Sequence, residues 1–239
     1  MKILDLTFPA PEDNLACDDA LLEAAEEGFS GEILRFWSPK NCFAVLGYSN
    51  KAAAEVRLDA CRKSGVPVLR RISGGGTVLQ GPGCLNYSLV LRIAGRPGLA
   101  NIRTTNEFVM NAHCGVFRKL AGSTVSVRGI TDLALDGLKF SGNAQRRKSR
   151  YALFHGTFLL DFDIALVEKY LAMPTLEPDY RAGRKHAEFL VNLHLKPEEV
   201  KNALIDGWEA SGSAEFDPAD KIKKLTEAFY SKESWNFKF

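Results

Sequence analysis

Residues 70–89 read RRISGGGTVLQGPGCLNYSL, and the fold class turns on what flanks the three glycines. Upstream, V-P-V-L-R-R-I (66–72) has the apolar pattern of a strand, and downstream C-L-N-Y-S-L-V-L-R-I (84–93) reads as another. A dinucleotide fingerprint, G-x-G-x-x-G, has to open a helix, and a phosphate-binding P-loop has to end in G-K-[ST]. Here a strand follows and that ending is missing, so both familiar nucleotide loops are disfavoured. Two readings stay open. One is a loop whose bare N–H groups approach an anionic or carbonyl-bearing ligand beside the guanidinium charge of Arg70 and Arg71. The other is a glycine-rich bend of a sheet with surface arginines.

Outward from this stretch the chain alternates short strands with helices. K-I-L-D-L-T-F at the N-terminus predicts a strand, then a helix over about 15–27 that ends before Gly28, with Asp13 or Asn14 as its cap. E-I-L-R-F-W and C-F-A-V-L-G predict two more strands, and a helix over about 51–63 stops at Gly65. Residues 104–120 carry Phe108, Val109, Ala112, Val116, Phe117 and Leu120 at helical spacing. T-V-S-V-R predicts a strand, and D-L-A-L and L-K-F-S-G enclose Asp136-Gly137, a strong hairpin signal. A-L-F-H-G-T-F-L-L-D-F predicts one more strand, and two helices, about 197–210 and 218–230, close the chain. The pattern predicts an α+β fold, a single domain over residues 1–239 with a central mixed, mainly antiparallel β-sheet flanked by helices.

The totals narrow the function classes. With 239 residues, 46% hydrophobic and 25% charged, the chain has the composition of a soluble globular protein. A formal charge of +2 argues against nucleic acid as the main partner. No apolar run is long enough for a membrane span, and the N-terminus does not read as a signal peptide. Five scattered cysteines without a C-x-x-C pair read as reduced thiols of a cytoplasmic protein, and four scattered histidines leave no zinc pattern.

A second unusual segment is L-K-F-S-G-N-A-Q-R-R-K, residues 138–148. Lys139 stands between apolar Leu138 and Phe140 on an alternating strand. It faces either solvent or a ligand cleft, where an ammonium is a compact charge for phosphate. Asp132, across the predicted hairpin, is close enough to pair with it. His155-Gly156 marks either a close backbone approach or a core histidine. Arg146, Arg147 and Lys148 read as a solvated loop or a docking surface for an acidic partner.

R-R-I-S-G-G-G-T-V, L-N-Y-S-L, G-L-K-F-S-G-N-A-Q-R-R and F-H-G-T-F-L-L-D-F together, in this order and spacing, resemble the lipoate–protein ligase family, which belongs with the biotin ligases and octanoyltransferases. The resemblance runs from N-L-A-C-D-D-A-L-L near residue 14 to the final S-W-N-F. It implies activation of lipoate with ATP and Mg²⁺ to lipoyl-adenylate, then transfer of the acyl group to a lysine of a lipoyl carrier domain. Under that resemblance Lys139 stabilises developing negative charge and Asp132 orients it. The backbone of Ser73, Gly74, Gly75 and Gly76, with Thr77, lines the acyl-phosphate, Arg70 and Arg71 add positive charge nearby with a structural role open for one of them, and Asn86, Ser141, Gly142, His155 and Gly156 surround the adenylate. Trp37 and Leu46 are candidates for the dithiolane tunnel.

Two departures stand out. Relatives often carry a histidine–aspartate pair after the glycines, where this chain has Leu79-Gln80-Gly81-Pro82-Gly83. Longer relatives continue into a C-terminal accessory domain; with its last residue at Phe239 this chain is expected to be without one, and to work with a separate accessory subunit or use preformed adenylate. Octanoyltransferases carry the acyl group on a cysteine. Both family positions for it are empty here, which leaves Cys84 as an improvised nucleophile to test. A non-catalytic lipoate-binding or lipoyl-domain-binding protein is the alternative outside the enzymes.

Overall fold

A computed structural model describes residues 1–28, 31–215 and 218–239. Its strands are β1 (Lys2–Asp5), β2 (Ile33–Trp37), β3 (Phe43–Leu46), β4 (Val68–Arg70), β5 (Val78–Gln80), β6 (Cys84–Arg92), β7 (Ser126–Arg128), β8 (Asp132–Leu135), β9 (Leu138–Arg147) and β10 (Tyr151–Leu159). The helices of the N-terminal half are α1 (Pro11–Glu27), α2 (Ala52–Glu55), α3 (Leu58–Ser64) and α4 (Ile102–Ala121). Those of the C-terminal half are α5 (Ala165–Tyr170), α6 (His186–Phe189), α7 (Pro197–Gly207), α8 (Ala219–Leu225) and α9 (Glu233–Asn236).

Seven strands form the main sheet in the order β1-β2-β6-β10-β9-β8-β7. Only β1 and β2 run parallel; every other neighbour is antiparallel. The expected α+β fold with a mixed, mainly antiparallel sheet is what the chain adopts. The sequence did not separate out a second sheet of three strands, β4-β3-β5. Two of its members, β3 and β4, fall within expected strands; β5, three residues long, is too short for periodicity to distinguish it from loop.

Side-chain alternation on the central strands creates two unlike faces. On β6, Leu85, Tyr87, Leu89 and Leu91 join Phe154 and Phe158 of β10 beneath α4 and α7, forming the larger core. The intervening residues, Asn86 and Ser88 on β6 with His155 and Thr157 on β10, point to the opposite face. There α1, α8 and the small sheet build a second apolar cluster around Leu21, Trp37, Val45 and Leu153. The polar positions left between this cluster and the sheet become the site.

The helix ends follow local chemistry. Helix α1 begins at Pro11, earlier than expected, and ends at Gly28 with φ +114°. Neither Asp13 nor Asn14 caps it; Asn14 folds back instead, donating to the carbonyls of Phe8 and Ala10. The expected helix over 51–63 breaks into α2 and α3 at Val56–Arg57. Helix α4 opens with a capping box between Asn101 and Thr104. Arg146 and Arg147 belong to β9 and not to a loop. Arg147 ties the sheet to α4 through Thr105 Oγ1 at 2.8 Å and the Leu99 carbonyl at 2.8 Å.

Candidate active site

The glycine segment joins β4 to β5 as a loop held from beneath by one arginine. Arg71 donates from Nη2 to the carbonyls of Gly74 (2.6 Å) and Gly76 (2.8 Å), and from Nε to Ser73 Oγ (3.0 Å). Burial lowers its guanidinium to about 10, so it stays cationic at neutral pH. Gly75 adopts φ +85°, a region that L-residues rarely enter. Gly47 packs so closely on the Gly75 carbonyl that a Cβ at position 47 would overlap it. A Cβ on Gly74 or Gly76 would meet nothing within 4 Å. The arginine and Gly47 set the shape of the loop, while the outer glycines leave space open above it.

The loop is also tied to the sheet. Ser73 Oγ lies 2.6 Å from His155 Nε2, and His155 Nδ1 lies 2.9 Å from Asp18 Oδ2. Asp18 Oδ1 receives Arg35 Nη1 at 2.6 Å and Ser88 Oγ at 2.7 Å. Burial alone would raise the Asp18 carboxyl, but the Arg35 charge and the His155 contact outweigh it and hold it below the usual range. With Asp18 accepting the hydrogen bond of His155 Nδ1–H, Nε2 is left to accept from the Ser73 hydroxyl. The histidine is therefore a cross-link between α1, β10 and the glycine loop.

Across a cavity of about 930 Å³ from this loop stands the β8–β9 hairpin. Lys139 Nζ approaches Asp132 Oδ1 at 2.7 Å, with the lysine side chain one-quarter exposed and the carboxylate 12% exposed. A register irregularity between Leu133 and Ala134 sets Asp132 opposite Gly142 and Ala134 opposite Lys139. Gly142 is small for a reason: a Cβ there would press to 2.9 Å on Lys139 Nζ. Gly156 is small for another, since a Cβ would overlap Asn143 Oδ1. Asn143 in turn accepts from the Tyr87 hydroxyl at 2.7 Å and donates to the Thr131 carbonyl at 2.7 Å.

The cavity brings together most of the residues singled out from sequence: Lys139, Asp132, Arg71, Gly75, Gly76 and Thr77, with Asn86, Ser141, Gly142, His155 and Gly156. Ser73, fully buried, and Gly74, exposed at the loop, are not among its lining residues. Arg70 does not reach it. Fully buried, it turns away and donates to the carbonyls of Gly47, Tyr48, Asn50, Trp235 and Asn236, which makes it a clamp for the C-terminal segment. Consecutive strand residues face opposite ways, so an R-R pair cannot put both side chains at one site. Trp37 lines the cavity, whereas Leu46 packs into a separate cluster with Ala44 and Ala52.

Sequence reasoning missed Asp18, Thr157 and the partner of Gln80. Gln80 Nε2 donates to Thr157 Oγ1 (2.6 Å), Thr157 Oγ1 to Asn86 Oδ1 (2.6 Å) and Asn86 Nδ2 to Gln80 Oε1 (3.0 Å). This closed ring forms part of the cavity wall. The alternation of F-H-G-T-F could have flagged Thr157 beside His155. Cys84 sits apart from the cavity in the cluster that holds Cys42, and burial pushes its thiol up to about 12. None of the described residues lining the cavity is a cysteine.

Residues 10–208 match the family model of the lipoyl protein ligase A/B catalytic domain. The chain belongs to that family. A relative from Aeropyrum pernix, named as a lipoate-protein ligase A, is 33% identical over 210 residues, 87% of this chain and 75% of that one. The lipoate-protein ligase A subunit 1 of Thermoplasma acidophilum is 28% identical, covering 93% and 90%. The octanoyltransferase LipM of Geobacillus kaustophilus is 26% identical, covering 99% and 98%. A ligase-named relative from Mycoplasma pneumoniae, 32% identical, is longer, and the chain spans about half of it, 49%. Among solved structures, a lipoate-protein ligase A bound with ATP superposes with a TM-score of 0.82 at 25% identity, covering 99% and 98%. The bipartite lipoate protein ligase of T. acidophilum gives 0.83 at 24%, covering 99% and 95%, and shares the fold. Family membership makes the chain an enzyme of the lipoate ligase and transferase group.

Proposed function

We propose that the chain is a lipoate–protein ligase that joins lipoate to a specific lysine of a lipoyl carrier domain through lipoyl-adenylate. One observation carries the reading: Lys139, oriented by Asp132, faces the glycine loop across a cavity whose described lining contains no thiol. An enzyme that holds its acyl group as a thioester needs a thiolate at the acyl carbon. Cys84, buried and pushed up to about 12, does not supply one.

In the first step a lipoate carboxylate oxygen attacks the α-phosphorus of ATP, and pyrophosphate leaves. In the second the carrier lysine amine attacks the acyl carbon, AMP leaves with the bonding pair, and the amine loses a proton. Negative charge gathers on phosphate and acyl oxygens in both steps. The Lys139 ammonium and the open N–H groups around Gly74 to Gly76 stand where that charge would be met, with Arg71 adding fixed positive charge below. The apolar walls at Leu15, Trp37 and Val45 suit an acyl chain. Among the described residues no group of three His, Cys, Asp or Glu forms a metal cage, so Mg²⁺ is read as arriving on the nucleotide phosphates.

The T. acidophilum relative is a ligase subunit, and the solved ligase of that organism is described as bipartite, with an E2 lipoyl domain. These descriptions support a lipoyl domain as acceptor and a separate accessory polypeptide for adenylation. The LipM relatives, which match nearly the whole chain, favour octanoyl transfer as the second reading. The discriminating experiment offers lipoate, octanoate and an octanoyl-carrier thioester separately, with and without ATP, to an apo lipoyl domain. Lipoylation that requires ATP supports the ligase; ATP-independent transfer from the thioester overturns it.

A further inference from the structure

Asp132 has a second neighbour that the reaction above does not use. The phenol of Tyr180 donates to Asp132 Oδ2 at 2.8 Å, while Oδ1 faces Lys139 Nζ at 2.7 Å. The two oxygens of one carboxylate are divided between a tyrosine and the lysine. Rotation of that carboxylate would break one contact or both.

Tyr180 is itself firmly held. Its ring packs on Phe189 at 5.1 Å, and Arg184 Nη2 donates to its carbonyl at 2.7 Å. Arg181 and Arg184 donate to each other's carbonyls at 2.9 and 3.0 Å and lay their guanidinium groups over Phe189 at 4.8 and 5.2 Å. Gly129, at φ +54°, passes beneath Pro178 and Tyr180, where a Cβ would come within 3.2 Å of Pro178 Cβ. Burial and the adjacent Asp132 charge push the phenol far above its ordinary value, so its hydroxyl stays protonated and donating. Next to it, the Val191 N–H donates to the Lys139 carbonyl at 3.0 Å, so the same segment also holds the lysine backbone.

We infer that Tyr180 is a positioning residue for Lys139: by fixing Asp132 it sets where the lysine ammonium sits relative to the glycine loop. The inference rests on the ligase reading of Lys139 and adds a residue from a segment that carries no recognisable motif. Tyr180 acts through Asp132, and the lysine remains the group that meets developing charge.

Tyr180→Phe removes one oxygen and keeps the ring on Phe189. The first measurement is the rate at which an amine-acetylating reagent labels Lys139 in the full chain, read by peptide mass spectrometry. Because the free amine is the nucleophile, a lysine in a firm ion pair reacts slowly. Labelling is expected to rise severalfold in Tyr180→Phe, with Lys201, itself paired to Asp5 and Glu198, as an unaffected control. Unchanged labelling of Lys139 overturns the inference. The second measurement is a double-mutant cycle with Asp132→Asn in the acyl-transfer assay. Tyr180→Phe alone should lower kcat about tenfold with KM within twofold, as befits loss of one hydrogen bond to a charged group. In the Asp132→Asn background it should cause no further loss. Equal losses in both backgrounds mean a structural role and overturn the inference. The labelling arm needs no acyl donor, so it decides on Tyr180 even where the ligase reading itself fails.

Discussion

At the scale of single residues, the proposed chemistry depends on the amine of Lys139 and on no thiol. Lys139→Ala should lower acyl transfer by about 10²- to 10³-fold, the range for losing one preorganised group that meets developing charge. The side chain is partly exposed, so the thermal midpoint should hold within a few degrees; unaltered transfer sinks the mechanism. Cys84→Ala should leave transfer within twofold, measured in the same assay. Gly156→Ala tests packing instead. The new methyl would overlap Asn143 Oδ1, so unfolding in urea should show about 1–3 kcal/mol of destabilisation. Lys139, Asp132 and His155 were singled out by their motifs, whereas alternation alone left open which face Lys139 and His155 take. Arg70 was misread because the R-R pair says nothing about which side chain the strand turns outward. Asp18 gave no signal, since a carboxylate inside a helix pattern looks like a solvated one until its partners Arg35 and His155 arrive from other strands.

At the scale of elements, the turn at Gly47–Asn50 and the C-terminal segment are joined through one buried side chain. Arg70 supplies donors to five backbone carbonyls, two of them in residues 235 and 236, and the Trp235 indole returns a hydrogen bond to the Arg70 carbonyl at 2.9 Å. Arg70→Ala leaves these carbonyls without their partner, each at a cost of about 1–3 kcal/mol when buried. Residues 233–239 should then become the first site of limited proteolysis, and a digestion pattern like that of the unaltered chain would refute the clamp. The long elements were readable in advance: α4 from its spacing, the β8–β9 hairpin from Asp136-Gly137, and β6 and β10 from their apolar runs. Strand β5 and its pairing with β3 into a separate sheet, α9 and the turns between α5 and α6 were not. They are short, and long-range hydrogen bonds hold them in place more than local propensity does.

At the scale of the whole molecule, the two faces of the main sheet do different work, and the apolar core on the α4–α7 face encloses His113, fully buried with its Nε2 accepting from Trp208 Nε1 at 2.9 Å. Burial lowers this histidine to about 3. A folded value below the unfolded one means that the unfolded chain binds the extra proton between about pH 6.5 and pH 3. Stability from this group is therefore present above that window and lost as pH falls through it, at up to about 1.4 kcal/mol per pH unit. His113→Gln should flatten the fall in urea-derived stability between pH 6 and 4; an identical slope would show that other groups cause it.

The other face holds the site, where the proposed reaction has an acyl-adenylate give up its acyl group to a carrier lysine beside Lys139, with no thioester on the enzyme. The most direct test supplies preformed lipoyl-adenylate and an apo lipoyl domain to the chain and to its Lys139→Ala and Cys84→Ala variants, and weighs the domain by mass spectrometry. The proposed reaction predicts one lipoyl group on one lysine with the unaltered chain and with Cys84→Ala, and almost none with Lys139→Ala. Transfer that occurs only from an octanoyl thioester and vanishes in Cys84→Ala would contradict it.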